Sequence, residues 1–220
     1  MVSALRALEL EDLHVLVVDD NSPDGTGEIA ARLAAEDDQV HVLPRARKEG
    51  LGPADLAGVR RALELDADLV FEMDCDFSHD PADVPRLAAA AQDADLVLGS
   101  RYVPGGGTRN WGFVRRFISR GGSLYAQLLL QLGVRDLTGG FKCYRRAVLE
   151  TIDLDGISSL GYAFQNETTY RALRAGFRVV EVPITFADRE VGGSKMSKGI
   201  VLEAIWKVPL LRARALVNRL

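Results

Sequence analysis

The stretch Leu69-Val70-Phe71-Glu72-Met73-Asp74-Cys75-Asp76 constrains the fold of this chain more than any other, because an apolar run stops abruptly in two carboxylates one residue apart. A strand of this length delivers Asp74 and Asp76 to its C-terminal edge, and a side-chain period of two points both the same way. That edge is where open α/β sheets bind ligands. Two hard oxygen donors suit Mg²⁺ or Mn²⁺, which keeps several waters and completes its shell from substrate phosphates, so a nucleotide diphosphate is the expected ligand. Aspartate also caps helices, and His79-Asp80-Pro81-Ala82-Asp83 reads as a turn into a helix. The local pattern taken alone favours capping.

The same arrangement recurs along the chain. His14-Val15-Leu16-Val17-Val18 is a short apolar strand that stops at the turn formers Asp19-Asp20-Asn21-Ser22-Pro23-Asp24-Gly25-Thr26, and a helical pattern follows from Gly27 to Ala35. Val40–Leu43 is a second strand, and a glycine-rich loop leads from it into a helix around Ala54 to Leu65. After the opening strand come a helix from Ala82 to Ala91 and the apolar run Ala94 to Leu98, which ends at Gly99-Ser100-Arg101. Strands this apolar, alternating with helices, imply an α/β fold with a mainly parallel sheet covered on both faces. The second half departs from that rhythm. Tyr102 to Gly112 reads as a loop, Arg115 to Leu132 as a long helix and Asp136 to Tyr144 as a turn with a short strand. Ala163 to Ala175 is helical, and Phe177 to Ile184 is a strand whose proline marks an edge or an end. Lys198 to Leu220 is a last helix with basic residues.

No internal repeat or linker interrupts the 220 residues, so one domain is expected. A net charge of -4 argues against a surface that coats nucleic acid. Cys75 and Cys143 are too few and too far apart for a disulfide framework or a zinc site, so a reducing compartment is expected. Neither a membrane-spanning apolar run nor a signal peptide is visible.

Taken together, these loops resemble the family 2 glycosyltransferases of GT-A fold, and within them the polyprenol-phosphate (dolichyl-phosphate) mannose synthases. Six blocks in order carry the resemblance over nearly the whole chain: Val17–Thr26, Glu72–Pro81, Gly99–Tyr102, Asp136–Lys142, Gly161–Glu167 and Phe186–Ser197. The resemblance implies transfer of mannose from GDP-mannose to a polyprenyl monophosphate, with UDP-glucose as the rival donor and a non-catalytic subunit of the same fold as the rival role. Asp74 and Asp76 then hold Mg²⁺ or Mn²⁺, which neutralises the leaving diphosphate. Asp19 and Asp20 bind the base or ribose of the donor, or close an Asx-turn, or do both. Arg101, Arg115, Arg189 and Lys195 lie in or beside loops after strands, where their charges suit phosphates. The matched positions in these synthases hold the donor diphosphate and the lipid phosphate. Asp76, Arg101 and Gln165 are the residues assigned to catalysis, Gln165 orienting the sugar or the metal shell.

A phosphate acceptor changes what catalysis needs. Its oxygen is already anionic near neutral pH, since its second pKa is about 6, so positioning and charge neutralisation suffice and no general base is assigned. Direct attack inverts the anomeric carbon. Trp111, Phe113, the helix from Arg115 and the last helix are candidates for resting on an anionic membrane surface, against the plainer expectation that they pack on the sheet or a partner. The expected location is cytoplasmic and peripheral at the membrane's cytoplasmic face, with a separate membrane-anchor subunit as a candidate partner. One departure stands out. The family pattern opens with an earlier strand that nothing before His14 matches, so a central strand is expected to be missing. Cys75 is expected to point into the sheet.

Overall fold

The computed structural model describes residues 1–157, 159, 162–188 and 198–217. Its elements in chain order are α1 (Val2–Arg6), β1 (Val15–Asp19), α2 (Thr26–Glu36), β2 (Val40–Pro44), α3 (Leu51–Glu64) and β3 (Leu69–Glu72). A 3-10 turn at Pro81–Asp83 leads into α4 (Val84–Ala90), followed by β4 (Leu96–Ser100), β5 (Gly107–Arg109) and α5 (Phe113–Leu130). Then come β6 (Lys142–Arg145), α6 (Arg146–Thr151), α7 (Tyr162–Arg174), β7 (Val179–Pro183), β8 (Thr185–Ala187) and α8 (Lys198–Leu216).

The central sheet runs β3-β6-β4-β7. All five residues of β4 are buried, as a strand covered on both faces requires. Its side chains alternate: Leu96 and Leu98 join Leu130, Leu137, Tyr170 and Leu211 on one face. Val97 joins Leu87, Phe141 and Ile184 on the other. Gly99 lets these layers close, since a Cβ there would stand 3.0 Å from Phe141 Cδ1 and 3.1 Å from Ile184 Cδ1. β7 lies at the sheet edge and ends at Pro183, where a missing N–H costs no ladder bond.

The α/β class, the flanking helices and the mainly parallel sense of the central sheet agree with expectation, with one strand reversed. β6 runs antiparallel to both β3 and β4, and only β4–β7 is a parallel pair within this sheet. The reason is connectivity: β6 follows the long excursion through β5 and α5, so its direction is not set by the strand-helix-strand crossovers that keep earlier strands parallel. The expected gap is also visible. β1 pairs only with β2, β3 is the outer strand of the central sheet, and among the described residues no strand lies between them. A cleft of about 2500 Å³ runs there, lined by Val15 to Val18 on one wall and Leu69 to Met73 on the other, and it opens onto the loops that follow β1, β3 and β4.

Candidate active site

β3 ends at Glu72, two residues earlier than expected, so Asp74 and Asp76 belong to the loop beyond it rather than to the pleat. The loop is held by its own hydrogen bonds. The Asp74 N–H donates to His79 Nδ1 at 3.1 Å, and the Ser78 N–H donates to Asp76 Oδ1 at 3.0 Å across Phe77, which adopts a left-handed φ of 60°. His79 is buried, stacked on Phe141 at 5.0 Å and edge-on to Phe186 at 5.1 Å. Cys75 is exposed, not packed in the sheet as expected, because the chain has already left the strand. Both aspartates line the cleft and supply the hard oxygen donors that a divalent cation takes.

Burial, reinforced by the charge of Arg101, pushes the His79 imidazole from 6.5 down to about 3. The unfolded chain therefore binds this proton more readily than the folded one, and the stability tied to neutral His79 is complete above pH 6.5 and lost as pH falls toward 3. The full loss is roughly 4–5 kcal/mol. We expect the unfolding midpoint to fall more steeply between pH 6.5 and pH 4 in the wild type than in His79→Gln, as followed by circular dichroism. Equal slopes would remove His79 as the latch of this loop.

The structure brings Asp20, Asp74, Asp76, Arg101, Arg115 and Gln165 to one cleft. Asp19 is buried behind it, where its Oδ2 accepts the Ser22 N–H at 3.3 Å, so the turn-forming alternative describes its position. Asp20 pairs with Arg45 at 2.6 Å. Arg115 pairs with Asp188 at 2.5 Å and lies over the Trp111 ring, 4.2 Å from its centre. Arg189 and Lys195 lie outside the described residues.

Arg101 departs furthest from its assignment as a phosphate-binding catalytic residue. It is 8% exposed, and its Nε and Nη2 grip both oxygens of Asp136 at 2.7 and 2.6 Å, with Thr138 Oγ1 a further 2.9 Å contact. The planar fork that would suit a phosphate is engaged by a buried carboxylate instead. In the sequence Asp136 stands out only as the first residue of the block Asp136–Lys142. Its carboxylate also accepts the Arg101 N–H, and its own N–H donates to Glu181, so it ties the residue after β4 to the middle of β7.

Gln165 sits in a buried polar cluster for which the sequence offered no signal beyond isolated charges in apolar runs. Its Nε2 donates to Glu72 Oε1, and its carbonyl accepts from Lys142 Nζ at 2.8 Å. Lys142 also donates to Thr168 and Thr169, which uses all three of its protons. Burial draws Lys142 down to about 8 against the opposing pull chiefly of Glu72. Burial, followed by the charge of Glu72, pushes the Asp55 carboxyl well up, so Asp55 is uncharged at neutral pH.

A sequence model of the family described as "Glycosyl transferase family 2" matches residues 1–153. The chain belongs to that family. This glycosyltransferase is 55% identical over 194 residues to an undecaprenyl-phosphate mannosyltransferase of Micrococcus luteus, covering 88% of this chain and 80% of the relative. It is 49% identical over 209 residues to a polyprenol monophosphomannose synthase of Mycolicibacterium smegmatis, covering 94% and 79%. Among solved structures it resembles glucosyl-3-phosphoglycerate synthase from Mycobacterium tuberculosis in complex with phosphoglyceric acid, with TM-score 0.65 and 17% identity over 91% of this chain and 69% of that one. The same enzyme in complex with Mn²⁺, UDP-glucose and phosphoglyceric acid aligns with TM-score 0.62 and 18% identity, covering 90% and 68%. At that identity the likeness speaks for the GT-A fold.

Proposed function

We propose that this glycosyltransferase moves mannose from GDP-mannose to a polyprenyl monophosphate, inverting the anomeric carbon, and that residues 1–220 act as one catalytic domain. The observation that carries the reading is the continuity of the cleft. Asp20, Asp74 and Asp76 line one part of it, while Arg115, Ile118, Tyr125 and Ile205 extend it onto α5 and α8. A charged donor and a lipid phosphate need such a passage from a polar pocket to an apolar face. The two mannosyltransferase relatives support the choice of sugar and acceptor.

Mg²⁺ or Mn²⁺ fits the oxygen donors of Asp74 and Asp76, and when bound it offsets the charge of the departing diphosphate. The chain's own residues then position the partners. Arg115, with Arg189 and Lys195, holds the acceptor phosphate against the sugar, and Asp20 meets the ribose or base. A phosphate oxygen forms its bond to the anomeric carbon opposite the leaving group as the bond to GDP breaks, and no proton has to be removed first. Assay with GDP-mannose, UDP-glucose and a short polyprenyl phosphate, reading products by mass, tests this. Polyprenyl phosphate mannose is expected. A glucosyl product would assign the other donor, and no product from folded protein would favour a non-catalytic subunit.

Among the described residues no helix is long and apolar enough to cross a membrane. We place the enzyme peripherally at the cytoplasmic face, resting on α5 and α8. These helices touch through the Tyr125 hydroxyl, which donates to the Ile205 carbonyl at 2.9 Å. They expose Phe113, Val114, Phe117 (71%), Leu124 and Leu128 together with Ile205, Trp206 (76%) and Leu210. Arg115, Arg116, Arg120, Lys207, Arg212 and Arg214 lie on the same two helices, and α5 carries no acidic residue. Apolar side chains flanked by cations match an anionic bilayer surface. The double variant Phe117→Asp, Trp206→Asp should lower co-sedimentation with phosphatidylglycerol vesicles by about tenfold or more, since each buried aromatic side chain contributes about 1.5–3 kcal/mol. Wild-type protein that ignores such vesicles would assign the contact to a separate anchor subunit.

A further inference from the structure

Arg45 stands beside the cleft without lining it. It directly follows β2, and its N–H donates to the Asp19 carbonyl at 2.7 Å, one step past the register that pairs Asp19 with Pro44. This extra ladder bond sets Arg45 next to the turn that carries Asp20, where Asn21 adopts a left-handed φ of 58°. The guanidinium then joins two carboxylates. Its Nη1 donates to Asp20 Oδ1 at 2.6 Å and its Nη2 to Glu49 Oε2 at 2.8 Å. The Arg45 side chain is 12% exposed and that of Asp20 21%, so the pair is shielded from most of the solvent.

Asp20 lines the cleft together with Arg47, Lys48 and Gly50, on either side of Glu49 in the loop before α3. A carboxylate on a turn is free to rotate about its side-chain bonds, and an exposed ion pair does little to stop it. A planar fork shared between two carboxylates is different, because each of its ends holds the other in line. With Oδ1 turned to Arg45, the oxygen left for a ligand is Oδ2, which accepts no hydrogen bond among the described residues. One acceptor oxygen suits a single hydroxyl, whereas the paired N–H donors of a guanine edge call for both. We propose that Arg45 is a positioning residue for the donor, turning Asp20 so that Oδ2 receives a ribose hydroxyl of the nucleotide.

The proposal rests on the nucleotide-sugar reading of the cleft, and it adds to that reading a residue that touches no ligand. The same guanidinium ties the ribose contact to the loop before α3. Glu49 precedes Gly50, the N-cap of that helix, whose φ of 112° only glycine adopts without strain. Lysine at position 45 would keep the charge but offers no planar fork, so it would hold Asp20 less firmly.

Calorimetric titration with GDP and with 2′,3′-dideoxy-GDP, both in the presence of Mn²⁺, tests this on wild type, Arg45→Met and Arg45→Lys. Arg45→Met should weaken GDP about tenfold, the equivalent of one hydrogen bond, and dideoxy-GDP less than about twofold. Arg45→Lys should show the same selective loss at about threefold. The ratio of the two affinities within one variant does not depend on how much of the protein is folded, so a destabilised variant still answers the question. Equal weakening of both nucleotides, or none of either, would mean that Arg45 serves only the fold, and overturns the proposal. Wild-type protein that binds GDP and dideoxy-GDP alike removes the ribose contact, and the proposal with it, while leaving the transferase reading intact. Wild-type protein that binds neither overturns both.

Discussion

Asp76→Asn should abolish Mn²⁺-dependent binding of GDP and lower mannosyl transfer by about 10³-fold, while leaving the melting temperature within a few degrees of wild type. The magnitude follows from removing one charge-stabilising group from a site where charge moves onto a leaving diphosphate, an effect usually worth about 10²–10³ by itself and more where a metal ion is lost with it. Asparagine is the informative replacement because its side-chain oxygen still accepts the Ser78 N–H that closes the loop. Alanine would lose that bond as well and confuse loop collapse with metal loss. Calorimetric titration with GDP, with and without Mn²⁺, checks the first part, and product formation checks the second. Undiminished metal-dependent binding in Asp76→Asn would show that the aspartate only shapes the turn.

Asp136→Ala, in the connection between α5 and β6, should be strongly destabilising, costing about 3–5 kcal/mol. The Asp136 side chain is fully buried and that of Arg101 nearly so, and removing the carboxylate takes away the buried counter-charge of a guanidinium that lies over the rings of Tyr102, Trp111 and Phe186. For a chain of this size the loss corresponds to a fall in melting temperature of roughly 10 °C or more. Replacing both partners, Arg101→Met with Asp136→Leu, should recover most of it, because the desolvation of two charges is then avoided. Thermal unfolding of the two singles and the double measures this cycle. If Arg101→Met instead leaves stability unchanged and weakens GDP binding, the arginine serves a phosphate as the sequence pattern first implied.

The contrast between these residues shows where pattern reasoning works. Alternation and abrupt polar endings located six strands to within a few residues, since an apolar run flanked by turn formers has few other ways to bury itself, but missed the short β5, inside a stretch read as loop, and β8. The aspartates after β3 were visible for the same reason. Partners were not visible. Nothing local distinguishes an arginine that meets a phosphate from one that meets Asp136, which lies 35 residues away in the chain. His79 looked like part of a helix start, yet it latches the Asp74 loop because Phe141 and Phe186, distant in sequence, wall it in. The cluster of Asp55, Glu72, Lys142 and Gln165 draws one member from each of four elements or their ends.

Local order along this chain, meaning which segments are strands, which loops are acidic and which family the loops resemble, was readable from residues alone because it depends on periodicity and on neighbours in sequence. The antiparallel insertion of β6, the open seam between β1 and β3, and the pairing of Arg101 with Asp136 were decided only by packing. Hydrogen bonds and ion pairs gain most when they form out of water, and burial is a property of the assembled layers rather than of any one stretch.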